Sequence, residues 1–240
     1  MNVNRFVCKR NDLNIVGRLA LPKGDAACPL VIFSHGFGYN DKLMDLEEFA
    51  ANGIAACDFD FCGGSPASRS DGLTTEMSVL TEAADLEAVL DTLKQNPRVD
   101  RSQISLVGFS QGGYVSSLVA IRRPTEIKRL FLLSPAFLIA DFPMYAVMYG
   151  FRKTFQFGNM LLSRKYIKDI RTFPVFHHMN EYPNPVSIFH GTSDTMAPIR
   201  YSERAVRQFP HAVLHRIPGA GHSLSGHVSS IQREIIRTIK

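Results

Sequence analysis

Tryptophan is absent from this 240-residue chain, and cysteine is scarce: Cys8, Cys28, Cys57 and Cys62. An even count permits disulfides, but a chain of this length can bury enough core not to need them, and no Cys-x-x-Cys spacing offers a metal site. Cys57 lies in an apolar run and reads as a buried thiol. Cys62 has no histidine near it in the sequence and reads as a bystander rather than a nucleophile. No apolar stretch approaches the length of a membrane span, and the segment from Met1 to Phe6 lacks the apolar core of a signal peptide. The expectation is a reduced, cytoplasmic protein without membrane contact. Clustered charge is missing too. The net charge is +5, yet Lys and Arg are scattered apart from pairs such as Arg122-Arg123 and Lys128-Arg129. That is an ordinary solvated surface; a nucleic-acid partner would call for a basic patch or stripe. No internal repeat or low-complexity segment interrupts the chain.

What is present suits one domain over residues 1–240: 45% hydrophobic residues and 17 Phe, ample for a core. Phe6–Lys9 and Ile15–Ala20 flank a turn-favouring Arg10–Asn14 and read as a hairpin. Then strand and helix alternate. The spacing predicts strands at Leu30–Ser34, Ile54–Phe59, Ile104–Val107, Arg129–Ser134, Val186–Phe189 and Val213–Arg216. Helices are predicted at Leu43–Ala51, Thr74–Gln95, Tyr114–Arg122, Tyr201–Gln208 and Ser225–Ile239. This rhythm implies an α/β fold, a mostly parallel central sheet with helices on both faces, whose ligand chemistry gathers at the carboxyl ends of the strands. Between Pro135 and Tyr182 the rhythm breaks. Residues 135–182 are rich in Phe, Tyr and Met and show no clear strand, which suggests an inserted lid over a site. The other reading is a pair of amphipathic core helices, and the same apolar surface would also suit a homodimer contact.

The chemistry-bearing stretch is Gly108-Phe109-Ser110-Gln111-Gly112, entered from a strand and leaving into a helix. The five-residue pattern alone arises often by chance; this context makes it a nucleophile elbow, with small neighbours allowing a tight turn that lifts Ser110 Oγ to the sheet rim. Serine needs a base near neutral pH, and histidine supplies it. His222, in the small-residue loop Pro218-Gly219-Ala220-Gly221-His222-Ser223, is the candidate among eight histidines. Asp194, after Phe189-His190-Gly191, is the carboxylate candidate to orient the imidazole, and the order Ser, Asp, His is the one expected on such a sheet. Two backbone N–H groups would hold an oxyanion: that of Gln111 at the helix start, and that of Phe37 in Ser34-His35-Gly36-Phe37-Gly38. His35 then reads as a loop brace.

With these residues in view, the chain resembles the α/β-hydrolase superfamily along nearly its whole length. Its layout from Asp58-Phe59 through the long helix to Gly108–Gly113, followed by an inserted segment, is most similar to the bacterial cinnamoyl (feruloyl) esterases. In that group a lid aspartate and tyrosine bind the phenolic hydroxyl of the acyl group. The resemblance implies those roles for Asp141 and Tyr166; Met144 to Phe155 departs from the pattern and carries Arg152-Lys153.

The expected function is a serine carboxylesterase acting on small acyl or aromatic esters, with a small-molecule ester as partner and neither cofactor nor metal. A peptidase, acylpeptide-hydrolase or lipase of the same fold is the alternative enzyme. Against these stand the lack of an appended propeller domain and of a long hydrophobic lid helix. A non-catalytic binding protein is the third reading, and retention of Ser110, Asp194 and His222 in their loops argues against it.

Overall fold

Strands that are apolar without alternation must be covered on both faces, and the computed structural model, which describes residues 3–39, 43–141 and 152–240, shows how. An eight-stranded sheet runs in the order β1 (Val3–Arg10), β2 (Leu13–Ala20), β4 (Ala55–Phe59), β3 (Cys28–Ser34), β5 (Val99–Phe109), β6 (Ile127–Leu133), β9 (Val186–Gly191), β10 (Ala212–Ile217). β1 and β2 form the expected hairpin, β2 pairs antiparallel with β4, and every later pairing is parallel. Leu30 and Ile32 of β3 pack with α2 (Val79–Leu93) and α3 (Gln111–Arg122) on one face. Val31 and Phe33 pack with α1 (Leu46–Ala51) and α6 (Val228–Ile239) on the other. The side-chain period of two thus feeds two apolar layers from one strand.

Local chemistry moves several boundaries. The helix expected from Thr74 begins at Val79, because Ser78 caps it: its hydroxyl accepts from Thr81 N–H while the Thr81 hydroxyl accepts from Ser78 N–H. Asp45 likewise caps α1, so that helix starts at Leu46 and not Leu43. The last helix opens at Val228, three residues after the expected Ser225.

Residues 135–182 depart further from expectation. After a 3₁₀ turn at Phe137–Asp141, β7 (Thr154–Phe157) and β8 (Met160–Ser163) form a two-stranded hairpin where no strand is expected. Phe157 pairs with Met160, leaving a two-residue turn in which Gly158 takes φ 56°, a conformation glycine adopts without strain. The hairpin leads into α4 (Arg164–Thr172), capped by Ser163. Phe155, Met160, Leu162, Tyr166 and Ile170 are buried in the same layer as α2 and α3. The aromatic and methionine residues from Phe142 to Phe151 lie outside the described residues. α5 (Arg200–Val206) joins β9 to β10. Among the described residues no helix is long and apolar enough to cross a membrane.

The elbow shows most directly why its residue types are needed. A Cβ on Gly108 would stand 2.3 Å from the Gly112 carbonyl oxygen, and one on Gly112 would stand 2.3 Å from that of Ser34. Both contacts are backbone, so neither can yield cheaply. Gly112→Ala should therefore cost about 3 kcal/mol, the upper end of overpacking penalties, readable as a drop in the urea midpoint at unchanged slope.

Candidate active site

The parallel strands stop in register, so their carboxyl-end loops meet. Ser34 pairs with Gly108, Phe109 with Leu133, Leu133 with Phe189, and Gly191 with Ile217. Ser110 follows at once with φ 53° and ψ −119°, a left-handed conformation that L-residues rarely occupy. Its backbone is held by hydrogen bonds from its own N–H to the Leu133 carbonyl (2.9 Å) and from Ala136 N–H to its carbonyl (2.9 Å). Gly191 brings two loops together: a Cβ there would stand 2.2 Å from the Ala220 carbonyl oxygen, so the loop carrying Asp194 lies against the loop carrying His222.

This packing joins three side chains into one hydrogen-bonded chain. Ser110 Oγ lies 2.9 Å from His222 Nε2, and His222 Nδ1 lies 2.8 Å from Asp194 Oδ2. An ionised carboxylate only accepts, so the imidazole carries its proton on Nδ1 and turns a free lone pair toward the serine hydroxyl. Asp194 is buried. Burial by itself would raise its carboxyl pKa, but hydrogen bonds from His190, His222 and Ala197 N–H, with the His222 charge, outweigh it and hold the group well below the usual carboxylate range. Its second oxygen accepts from the N–H groups of Met196 (2.9 Å) and Ala197 (2.8 Å).

Ser110 and His222 open onto a cavity of about 820 Å³, walled by Phe37, Leu138, Ile139, Phe157 and Tyr166 among others. Gln111 and Phe37 both line it, and the backbone N–H of neither donates to another described residue. For Gln111 the reason is its place as first residue of α3, with no helical carbonyl behind it. His35 braces the Phe37 loop: its Nδ1–H donates to the Gly36 carbonyl (2.8 Å) and its Nε2 accepts from Phe61 N–H (3.1 Å). Asp141 and Tyr166 have different hydrogen-bond partners. Tyr166 is in the cavity wall with its hydroxyl donating to Gln111 Oε1 (2.5 Å), whereas Asp141 accepts from the Tyr201 hydroxyl (2.6 Å) and does not line the cavity. Cys62 is buried away from the cavity, and that burial, with Asp85 nearby, pushes its thiol up to about 12, which leaves no thiolate for nucleophilic work. Among the described residues no cluster of three or more His, Cys, Asp or Glu side chains could hold a metal ion.

The sequence matches the alpha/beta hydrolase family over residues 31–233. The chain belongs to the α/β-hydrolase family. Solved structures extend the likeness to the whole fold. Est1E from Butyrivibrio proteoclasticus, in a structure with bound ferulic acid, superposes with a TM-score of 0.88 at 24% identity, over 98% of this chain and 97% of that one. The α/β hydrolase GrgF from Penicillium sp. sh18 gives 0.81 at 17% identity, over 100% and 98%. Alpha/beta hydrolase domain-containing protein 10 from mouse gives 0.77 at 20%, over 98% and 99%. A search of curated proteins finds no match.

Two residues of this α/β-hydrolase site escape sequence reading. His190 reads as one of several unremarkable histidines, yet it is fully buried beneath the acid. Its Nε2–H donates to the Ala197 carbonyl (2.7 Å) and lies 3.2 Å from Asp194 Oδ2, the oxygen that also faces His222. Glu82 sits on the apolar stripe of α2, between Val79 and Leu86, and accepts from Gln111 Nε2 at 2.7 Å. A carboxylate at a core position of an amphipathic helix is the one sequence signal that marks it.

Proposed function

We propose that the protein is a cofactor-independent serine carboxylesterase working through an acyl-enzyme at Ser110. The observation that carries this reading is the unbroken chain from Ser110 Oγ through His222 to Asp194 at the mouth of an apolar cavity. Ser110 Oγ attacks the ester carbonyl while His222 Nε2 takes its proton. Asp194 holds the ring in the required tautomer and stabilises the imidazolium. The N–H groups of Gln111 and Phe37 receive the developing oxyanion. His222 then returns its proton to the departing alcohol, and activates the water that releases the acid.

The cavity wall argues for an apolar or aromatic acyl group, and so does likeness to a protein whose structure contains ferulic acid. Residues 135–182 supply Leu138, Ile139, Phe157 and Tyr166 to that wall, in keeping with a lid. Steady-state hydrolysis of methyl ferulate, methyl p-coumarate, p-nitrophenyl butyrate and p-nitrophenyl palmitate, with Ser110→Ala as control, tests the assignment. High kcat/KM on the cinnamates, lost in the control, supports the aromatic esterase. Activity confined to the butyrate keeps the serine mechanism and rejects the cinnamoyl acyl group. Hydrolysis that survives in Ser110→Ala rejects the mechanism.

A further inference from the structure

The Gln111 side chain is gripped at both ends. Its Nε2 donates to Glu82 Oε2 (2.7 Å) and also reaches Met77 Sδ (3.9 Å), while its Oε1 accepts from the Tyr166 hydroxyl (2.5 Å). Gln111, Glu82 and Tyr166 are each 1% exposed and come from α3, α2 and α4 respectively. A satisfied buried trio of this kind can be purely structural. Its position gives it more to do. Gln111 N–H belongs to the peptide joining it to Ser110, whose orientation is set by the left-handed φ and ψ of Ser110. The carbonyl of that peptide is pinned by Ala136 N–H (2.9 Å) and Gly113 N–H (3.0 Å). The Glu82 and Tyr166 contacts pin the residue on its other side.

Tyr166 also touches the second oxyanion donor. Its ring meets that of Phe37 edge-on at 6.2 Å, and Phe157 of β7 meets Phe37 at 5.4 Å. The turn after β7 holds the same loop directly, through Asn159 Nδ2 donating to the Gly38 carbonyl (3.0 Å). α4 is itself fixed to the start of α2, where Ser78 Oγ donates to Asp169 Oδ2 (2.6 Å), one turn along from Tyr166. Burial pushes the Glu82 carboxyl well up, only partly opposed by the Gln111 hydrogen bond, so this residue is costly to keep where an apolar one would pack.

We propose that Tyr166 and Glu82 are positioning residues for the oxyanion hole, aligning Gln111 and Phe37 so that docking of the 154–172 segment sets the geometry of both N–H donors. This rests on the serine-esterase reading above. It assigns the Tyr166 hydroxyl to the protein's own Gln111, in place of a phenolic substrate.

p-Nitrophenyl acetate separates the two roles, because it has neither a phenol nor an aromatic acyl group. Tyr166→Phe should lower its kcat about tenfold, below the 10²–10³ of losing a whole oxyanion donor, with KM changed less than about twofold. Glu82→Leu should do the same, while Glu82→Gln, which keeps an acceptor for Gln111, should stay within about threefold of wild type. Inhibition by a trifluoromethyl ketone, whose serine adduct carries the oxyanion, should weaken about tenfold in Tyr166→Phe and Glu82→Leu alike. Unchanged kcat and ketone affinity in both variants, melting like wild type, would overturn the proposal. So would a Tyr166→Phe defect confined to KM for methyl p-coumarate, which is the behaviour of a phenol binder. Wild-type protein that neither hydrolyses esters nor takes a fluorophosphonate would overturn the serine reading and this proposal with it.

Discussion

Replacing Ser110 with alanine is expected to lower kcat for p-nitrophenyl butyrate by about 10⁴-fold or more. The substitution removes one oxygen and leaves the rest in place. Alanine inherits the left-handed backbone at no greater steric cost than serine, and the backbone hydrogen bonds to the Leu133 carbonyl and from the Ala136 and Gly113 N–H groups do not involve the side chain. The variant should therefore melt close to wild type. His222 Nε2 would lose its partner 2.9 Å away, and among the described residues no other hydroxyl lining the cavity is hydrogen-bonded to it; Cys62 is buried elsewhere with its thiol pushed up to about 12. Binding in the cavity and the Gln111 and Phe37 N–H groups would remain, leaving a residual rate above the uncatalysed one. A folded Ser110→Ala protein with undiminished hydrolysis would place the nucleophile elsewhere.

Asp194→Asn should lower kcat by about 10⁴-fold, through the tautomer of His222. The carboxylate accepts from three donors, His222 Nδ1–H on Oδ2 and the Met196 and Ala197 N–H groups on Oδ1, with His190 Nε2 a further 3.2 Å from Oδ2. Asparagine has one oxygen. If it faces the two backbone N–H groups, its amide N–H₂ meets His222, which must then move its proton to Nε2 and present a donor to Ser110. If the amide turns the other way, its N–H₂ opposes two backbone donors. Stability changes in a direction that can be worked out. Asp194 is held below the ordinary aspartate value of about 3.9, so its contribution is complete above that pH and is lost as pH falls further. Asp194→Asn lacks this contribution at every pH. Its stability deficit in urea should accordingly shrink between neutral pH and about pH 3.

Ser110 and Asp194 were legible from glycines that close backbone contacts require, Gly108 and Gly112 at the elbow and Gly191 before Asp194, whereas His222 was legible from its place in a short loop between the last strand and the last helix. The parallel sheet was legible from unbroken apolar runs such as Leu30–Ser34, which require cover on both faces. The β7–β8 hairpin was missed although Gly158-Asn159 between Thr154–Phe157 and Met160–Ser163 is a two-residue hairpin turn of a known kind. Its strands are short, and the surrounding aromatic and methionine residues mask the alternation. Helix starts were misplaced where Ser78 and Asp45 cap them, since apolar periodicity does not mark the cap. His190 and Glu82 could not be read as site residues from one chain. Gln111, the partner of Glu82, lies on another helix that only the fold brings near, and although Asp194 is four residues from His190, only the turn between them sets the two side chains against each other.

Peptide mapping after fluorophosphonate treatment tests the central claim most directly, because the reagent traps an activated serine whatever the natural ester is. One adduct is expected, on the peptide containing Ser110, formed by wild type and lost in His222→Ala, which removes the base 2.9 Å from the hydroxyl. No adduct on folded protein, or an adduct on another serine, would contradict the account.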